Sequence, residues 1–283
     1  MQLQPIFDDC ALRITRYEEV HGGDINRSYC LFTADKKYFL KVNDASSFPN
    51  MLQKEAEGLH ALKSTHTVTI PTVINQGTTG NTQYLLLEWI EKQTVSKDRA
   101  EDLGKNLARM HKLKQFYYGW ENDNYIGSLP QSNNKSDTWD EFYTECRIMP
   151  LVQQLFDKGI FTITEIKAAG KLCNKLDQVF PAEHPSLLHG DLWNGNYLIS
   201  TDGKACLFDP AVYYGHREMD IGMSKLFGGF DKFFYEAYEE IYPLEPGWEK
   251  RLPVTQAWPL LVHSVLFGGQ YINRAREILH HFS

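Results

Sequence analysis

His189-Gly190-Asp191-Leu192-Trp193-Asn194-Gly195-Asn196 is the stretch on which the reading of this chain turns, together with Leu207-Phe208-Asp209-Pro210 downstream. The amide Asn196 follows the acid Asp191 by five residues, and a second acid, Asp209, comes thirteen residues after the amide. In phosphoryl transfer from ATP to a hydroxyl, one carboxylate orients the hydroxyl and accepts its proton, while an amide and a second carboxylate hold Mg²⁺ on the phosphates. Hard Mg²⁺ takes oxygen donors and keeps several waters, so one amide and one carboxylate suffice. Asp191 is thus the candidate catalytic residue, and Asn196 and Asp209 are the candidate metal ligands. The competing reading is a polar turn between two strands with solvated acids. Three chemically specified positions at the right offsets, flanked by Leu187-Leu188 and Leu198-Ile199, favour a phosphoryl-transfer site.

Upstream, Tyr29 to Thr33 and Tyr38 to Val42 read as strands joined by the polar turn Ala34-Asp35-Lys36-Lys37. The strand period puts Lys41 on the face of Phe39, opposite Tyr38, Leu40 and Val42. A lysine in an apolar strand needs a partner. The stripe Leu52, Ala56, Leu59, Leu62 predicts a helix over Phe48 to Ser64, with Pro49 in its first turn, and Glu55 lies on that stripe. A carboxylate there is costly unless paired, and Lys41 with Glu55 matches the pair that positions nucleotide phosphates. An exposed Glu at the stripe's edge and a snorkelling Lys is the alternative. Gly22 and Gly23 allow backbone amides to approach phosphates, although a Gly-Gly pair also suits an ordinary hairpin turn. The run Tyr84 to Ile90 reads as a buried strand leaving the small lobe, so chain order places Glu88, Trp89 and Ile90 at the adenine edge.

The remainder predicts a larger, mainly helical lobe. Ala100 to Leu113 carries Leu103, Leu107 and Met110 on one face, with His111 beside them as a hydrogen-bonded helix histidine. Gln115 to Thr138 is aromatic and polar without periodicity, an ordered loop of the kind that lines sites. Trp139 to Phe156 and Ile160 to Phe180 read as helices, as does the tail, interrupted at Gly268-Gly269. The fold class expected is α+β and bilobal, with residues 1–90 as nucleotide-binding lobe and 91–283 as catalytic and substrate-binding lobe.

Composition narrows the partners. A net charge of −7 without a Lys/Arg-rich run argues against nucleic acid or an anionic membrane. No stretch approaches the roughly 18 apolar residues of a membrane span, and residues 1–20 mix acids and bases, unlike a signal or transit peptide. Five scattered cysteines without a Cys-x-x-Cys pair suit reduced thiols in a cytoplasmic protein.

Several of these motifs together resemble the fructosamine kinase (ketosamine 3-kinase) family, relatives of aminoglycoside phosphotransferases with a protein-kinase-like fold. The resemblance rests on Gly22-Gly23-x-Ile25-Asn26, Phe39 to Asn43, Val68-x-Ile70-Pro71, and Asp123 to Gln131. It continues through Trp139-x-x-Phe142-Tyr143-x-x-x-Arg147, His189 to Asn196, and Asp209-Pro210-Ala211-x-Tyr213-Tyr214-Gly215-His216-Arg217-Glu218-x-Asp220. It implies ATP and Mg²⁺ as cofactors, and a ketoamine, free or protein-attached, as acceptor at its 3-hydroxyl. The resulting 3-phosphate is unstable and releases the amine, a deglycation repair. It implies Trp193 as an aromatic platform for the ketoamine, where a core plug is the plainer alternative, and His189 and Asp220 as supports of the catalytic loop. Pro210 after Asp209 and Gly190 before Asp191 set the chain apart from eukaryotic-type protein kinases. Where some members carry a cysteine after the glycine pair, this chain has Asp24, so no thiol switch is expected there. An aminoglycoside or amino-alcohol phosphotransferase on the same scaffold stays open as a rival, as does a non-catalytic nucleotide-binding regulator.

Overall fold

Alternation along Lys37–Asp44 (β3) decides how the small lobe is layered. Leu40 and Val42 are fully buried on one face, where with Tyr29, Leu31, Tyr84 and Leu86 they pack under the short helix Gln4–Asp9 (α1) through Leu3, Ile6 and Phe7. The opposite face carries Phe39 and Lys41 beside Leu85 and Leu87. These leucines pack on Leu52, Ala56, Leu59 and Leu62 of helix Met51–Ser64 (α2). The computed structural model describes residues 3–21, 25–93 and 97–283. Its five-stranded antiparallel sheet runs β1 (Arg16–Val20), β2 (Arg27–Phe32), β3, β5 (Thr82–Glu88), β4 (Val73–Thr79). Gly22 and Gly23 lie outside the described residues. The helix expected from Phe48 begins at Met51 instead, because Asn50 takes a left-handed backbone (φ 58°) that breaks the helical path, a conformation asparagine tolerates better than most residues.

β6 (Lys92–Gln93) pairs with β10 (Tyr197–Ser200), itself paired with β11 (Ala205–Leu207). α3 (Lys97–His111) packs along α9 (Lys232–Ile241). The long aromatic loop is ordered and contains a hairpin, β7 (Asn124–Ile126) with β8 (Leu129–Gln131). The single helix expected over Trp139 to Phe156 is α4 (Trp139–Tyr143), a π-helical turn Thr144–Ile148, and α5 (Met149–Asp157). The helix expected over Ile160 to Phe180 is likewise divided into α6 (Ile163–Cys173) and α7 (Leu176–Val179). A strong N-terminal signal sets the start of α6: Thr162 and Glu165 form a reciprocal capping box. β9 (Ser186–Leu188) pairs with β12 (Tyr213–Gly215), and α8 (Glu218–Leu226), α10 (Trp248–Leu266) and α11 (Gln270–His281) close the lobe. The fold is therefore α+β and bilobal, as the sequence predicts. Among the described residues no helix is long and apolar enough to cross a membrane, and all five cysteines are free thiols.

Two tertiary ties bring the site together. Pairing of Leu188 with Tyr213 places the chain just before His189 beside the chain just after Asp209. Hairpin β7–β8 touches α2, where Tyr125 Oη donates to the Pro49 carbonyl at 3.1 Å and Lys54 Nζ donates to the Asp123 carbonyl.

Candidate active site

The catalytic-loop candidate runs from β9 to β10, and its backbone is pinned from below by Asp220 at the start of α8. Asp220 Oδ2 accepts from the His189 amide at 2.8 Å, and Oδ1 from the Gly190 amide at 3.0 Å. His111 Nε2 donates to Asp220 Oδ2 at 3.2 Å, which leaves Nδ1 to accept from Tyr238 Oη at 2.9 Å. His111 is thus a hydrogen-bonded helix histidine, as the sequence reading has it, and Asp220 bonds two amides of the loop. His189 is buried, and burial lowers its pKa, so it is a neutral ring. Nε2–H donates to the Phe208 carbonyl at 3.0 Å, and Nδ1 accepts from the Asp191 amide at 3.3 Å. One imidazole therefore ties the backbone before Asp209 to that of Asp191. Gly190 is required here: with φ +80°, a Cβ would stand 2.0 Å from the Ala211 carbonyl oxygen.

Asp191 projects into a cavity of about 440 Å³ between the lobes, which Lys41, Glu55, Trp193, Asn196 and Asp209 also line. Asn196 Nδ2 donates to the Asp191 carbonyl at 2.8 Å and to its Oδ2 at 2.9 Å. Burial pushes the Asp191 carboxyl up to about 7, with the charges of Asp209 and Asp220 adding to the effect and the Asn196 bond opposing it. A carboxylate poised near neutrality suits proton acceptance from a hydroxyl. Lys41 Nζ binds Glu55 Oε1 at 2.7 Å and also Asp209 Oδ1, joining the sheet, α2 and the second acid. Burial disfavours the Lys41 ammonium, but Asp209 and Glu55 outweigh it and raise its pKa; burial raises Glu55 against the pull of Lys41. The Lys41–Glu55 pair expected from two periodicities is present.

Asp209 has a left-handed backbone (φ 55°), uncommon for a residue with a side chain. Such strain persists where the surroundings over-determine a conformation, as they do at functional sites. The donor set suits a hard cation: with Nδ2 spent on Asp191, Asn196 has an amide oxygen left, and Asp209 brings a carboxylate to the same cavity. Among the described residues no group of three or more His, Cys, Asp or Glu could by itself hold a metal ion.

Trp193 is 37% exposed at the cavity rim, edge-on to Phe227 with ring centroids 5.9 Å apart, so it is no core plug. A Cβ at Gly195 would stand 2.3 Å from the indole, so glycine there is what lets the ring lie over the loop. Sequence reasoning did not single out the far wall, which comprises Val262, His263, Leu266 and Phe267 at the end of α10. The break at Gly268-Gly269 was its only local signal. The aromatic loop does line the site, through Asn124 to Ser128. Glu88, Trp89 and Ile90 do not line this cavity. Glu88 Oε2 accepts from Thr72, and Glu88 and Trp89 border a separate open recess with Lys37 and Tyr38.

With this geometry in view, comparisons with known proteins are consistent. Residues 6–282 match the model of the fructosamine kinase family. The chain is 39% identical over 269 residues to a protein named "Probable ketoamine kinase" from Synechocystis sp., covering 94% of this chain and 90% of that one. It is 36% identical over 279 residues to a chloroplastic protein-ribulosamine 3-kinase of Oryza sativa, covering 95% of this chain and 79% of the relative. A crystal structure from Thermobifida fusca, provisionally named a fructosamine-3-kinase, aligns with TM-score 0.88 at 33% identity, over 99% of this chain and 97% of that one. A spectinomycin phosphotransferase at 14% identity and TM-score 0.61, over 100% and 93% of the two chains, shares the fold alone.

Proposed function

This chain belongs to the fructosamine kinase family, and on that premise we propose that it phosphorylates the 3-hydroxyl of a ribulosamine or fructosamine, in repair of glycated amines. It is an ATP-dependent phosphotransferase of the ketoamine kinase type. The observation that carries the finer reading is the shared cavity wall of Asp191 and Trp193, two residues apart, with Asp191 pushed to about 7 by burial. The indole offers a flat apolar face for the C–H side of a sugar and an N–H for its oxygens. A hydroxyl held there would meet Asp191, which would take its proton as the oxygen bonds to the terminal phosphorus of ATP and the bond from that phosphorus to the departing ADP breaks. Asn196 Nδ2 fixes the Asp191 carboxylate in place for that transfer.

Lys41, held by Glu55, is the cation for the nucleotide phosphates. Asn196 and Asp209 would hold Mg²⁺, which when bound neutralises phosphate charge. Gly22 and Gly23 remain our proposal for the cover of the phosphates, and Glu88 to Ile90 for the adenine edge, with the lobe boundary at 90/91 and a cytoplasmic setting. Catalysis in such a site is chiefly positioning and charge neutralisation. The experiment is ATP consumption with Mg²⁺ on ribulosyl-lysine, fructosyl-lysine and an aminoglycoside. Turnover on a ketoamine that vanishes in Asp191→Ala is the expected result. Turnover on the aminoglycoside alone would overturn the substrate class while leaving the chemistry.

A further inference from the structure

Behind the site lies a buried cation that the mechanism does not use. Arg147, in the π-helical turn Thr144–Ile148, is fully buried. Its guanidinium carbon is 4.1 Å from the ring centroid of Tyr213, 4.5 Å from that of Phe142 and 5.3 Å from that of Trp258. Nη1 donates to the carbonyls of Ser132 at 2.6 Å and Cys146 at 3.0 Å, and Nη2 to Asn133 Oδ1 at 2.7 Å. Nε makes no hydrogen bond of normal geometry, although the Tyr213 hydroxyl is near enough to favour the charge, and no carboxylate among the described residues pairs with it. Apolar side chains would fill such a cage at lower cost, so stability alone does not account for an arginine here.

What the guanidinium fixes is an amide. A guanidinium only donates, so Asn133 must present its oxygen to it and send Nδ2 elsewhere. That Nδ2 donates to Asn124 Oδ1 at 2.9 Å. Gln131 Nε2 donates to the same oxygen at 2.8 Å and to the Ala211 carbonyl at 3.3 Å. Asn124, its oxygen twice engaged, donates Nδ2 to the Val212 carbonyl at 2.8 Å. All three amides are buried, and each settles the orientation of the next. The relay ends two and three residues beyond Asp209. There the Ala211 amide also donates to the His189 carbonyl at 2.9 Å.

We propose that Arg147 is a positioning residue for metal binding: through Asn133, Asn124 and Gln131 it fixes the backbone at Ala211 and Val212, and so sets where the Asp209 carboxylate meets a divalent cation. The proposal rests on the reading of Asp209 as a metal ligand, not on the identity of the acceptor. π-Turns inserted in α-helices recur at functional sites, and groups that orient a metal ligand govern affinity from behind it.

The test is calorimetric binding of ADP with and without Mg²⁺, by the parent protein, Arg147→Lys, Gln131→Met and Asp209→Asn. Arg147→Lys keeps the charge but loses the fork that spans Ser132 and Asn133. Gln131→Met keeps the side-chain length, removes the two donated bonds, and loses nothing at Oε1, which has no partner. Loss of such support costs about 10-fold in metal affinity. Both variants should therefore bind Mg²⁺·ADP about 10-fold more weakly, bind metal-free ADP as the parent does, and need correspondingly more Mg²⁺ for half-maximal turnover. Unchanged Mg²⁺·ADP affinity in folded Gln131→Met overturns the proposal, whatever happens to Arg147→Lys. An equal loss of metal-free ADP binding overturns it too. Asp209→Asn guards the premise: if it keeps full Mg²⁺·ADP affinity, the ligand assignment fails and the proposal falls with it.

Discussion

The cleft between the lobes and the back of the larger lobe both gather carboxylates, and they balance them differently. In the cleft, Glu55, Asp191 and Asp209 share a cavity with Lys41 and Lys54; Lys41 pairs with Glu55 and Asp209, Lys54 donates to the Asp123 carbonyl, and neither pairs with Asp191. Burial drives Asp191 up to about 7. At the back each acid has its own guanidinium: Glu183 with Arg217 at 2.7 Å, Glu218 with Arg251 at 2.6 Å, and Glu165 with Arg276 at 3.0 Å. At Glu183 and Glu165 burial is outweighed. Arg217 holds Glu183 below the usual carboxylate range, and hydrogen bonds from Thr162 bring Glu165 down to about 2. Carboxylates matched one to one are architecture. Carboxylates in excess mark a place that expects a cation from outside and a proton from a substrate.

Single substitutions on either side can break or sharpen this contrast. The largest expected effect is in the cleft, where Asp191→Ala should lower turnover by up to roughly 10⁴-fold while ADP affinity and the urea midpoint stay near the parent values. Retained activity in steady-state assays would remove Asp191 as the base. Next comes the back, where Arg217→Met strands a buried Glu183 and should cost about 3–5 kcal/mol in urea unfolding. It should leave ADP affinity per folded molecule unchanged; weaker ADP binding there would show the two regions to be coupled. Smaller is the rim. Trp193→Ala removes an aromatic face worth about 1 kcal/mol and should raise KM for a ketoamine several-fold, with kcat less affected. A fall in kcat alone would make the ring a support for the loop.

The cleft was legible in sequence where its geometry follows from local periods. Lys41 and Glu55 declare themselves because a strand and a helix each place a charge on an apolar face, and Asp191 and Asn196 sit on one loop. Arg147 is legible only as part of the motif that carries the resemblance, and its purpose is not. Its partners Ser132 and Asn133 are fixed by the tertiary path of the aromatic loop, and no period runs through Asn124, Gln131 and Asn133. The broken helix at Thr144–Ile148 was hidden for a related reason: composition across a π-turn is that of an ordinary helix. The start of α2 at Met51 turned on a single left-handed residue, Asn50, that propensity does not single out.

The last effect, comparable in size to that at the rim, tests the back of the lobe by pH. Glu165 caps α6 by accepting from the Thr162 amide and hydroxyl, each at 2.7 Å, and reaches α11 through Arg276 at 3.0 Å and His280 at 3.4 Å. Its folded pKa, about 2, is depressed from an ordinary 4.5, so ionised Glu165 adds stability at any pH above the ordinary value. That contribution is lost as pH falls through the folded value. Glu165→Gln should be less stable than the parent by about 1–2 kcal/mol at neutral pH, and the gap should close between about pH 4.5 and 2. A gap that stayed constant through that window, in urea titrations at stepped pH, would mean that the shape of the side chain and not its charge holds α6 to α11. The one-to-one balance drawn for this region would then be packing rather than electrostatics.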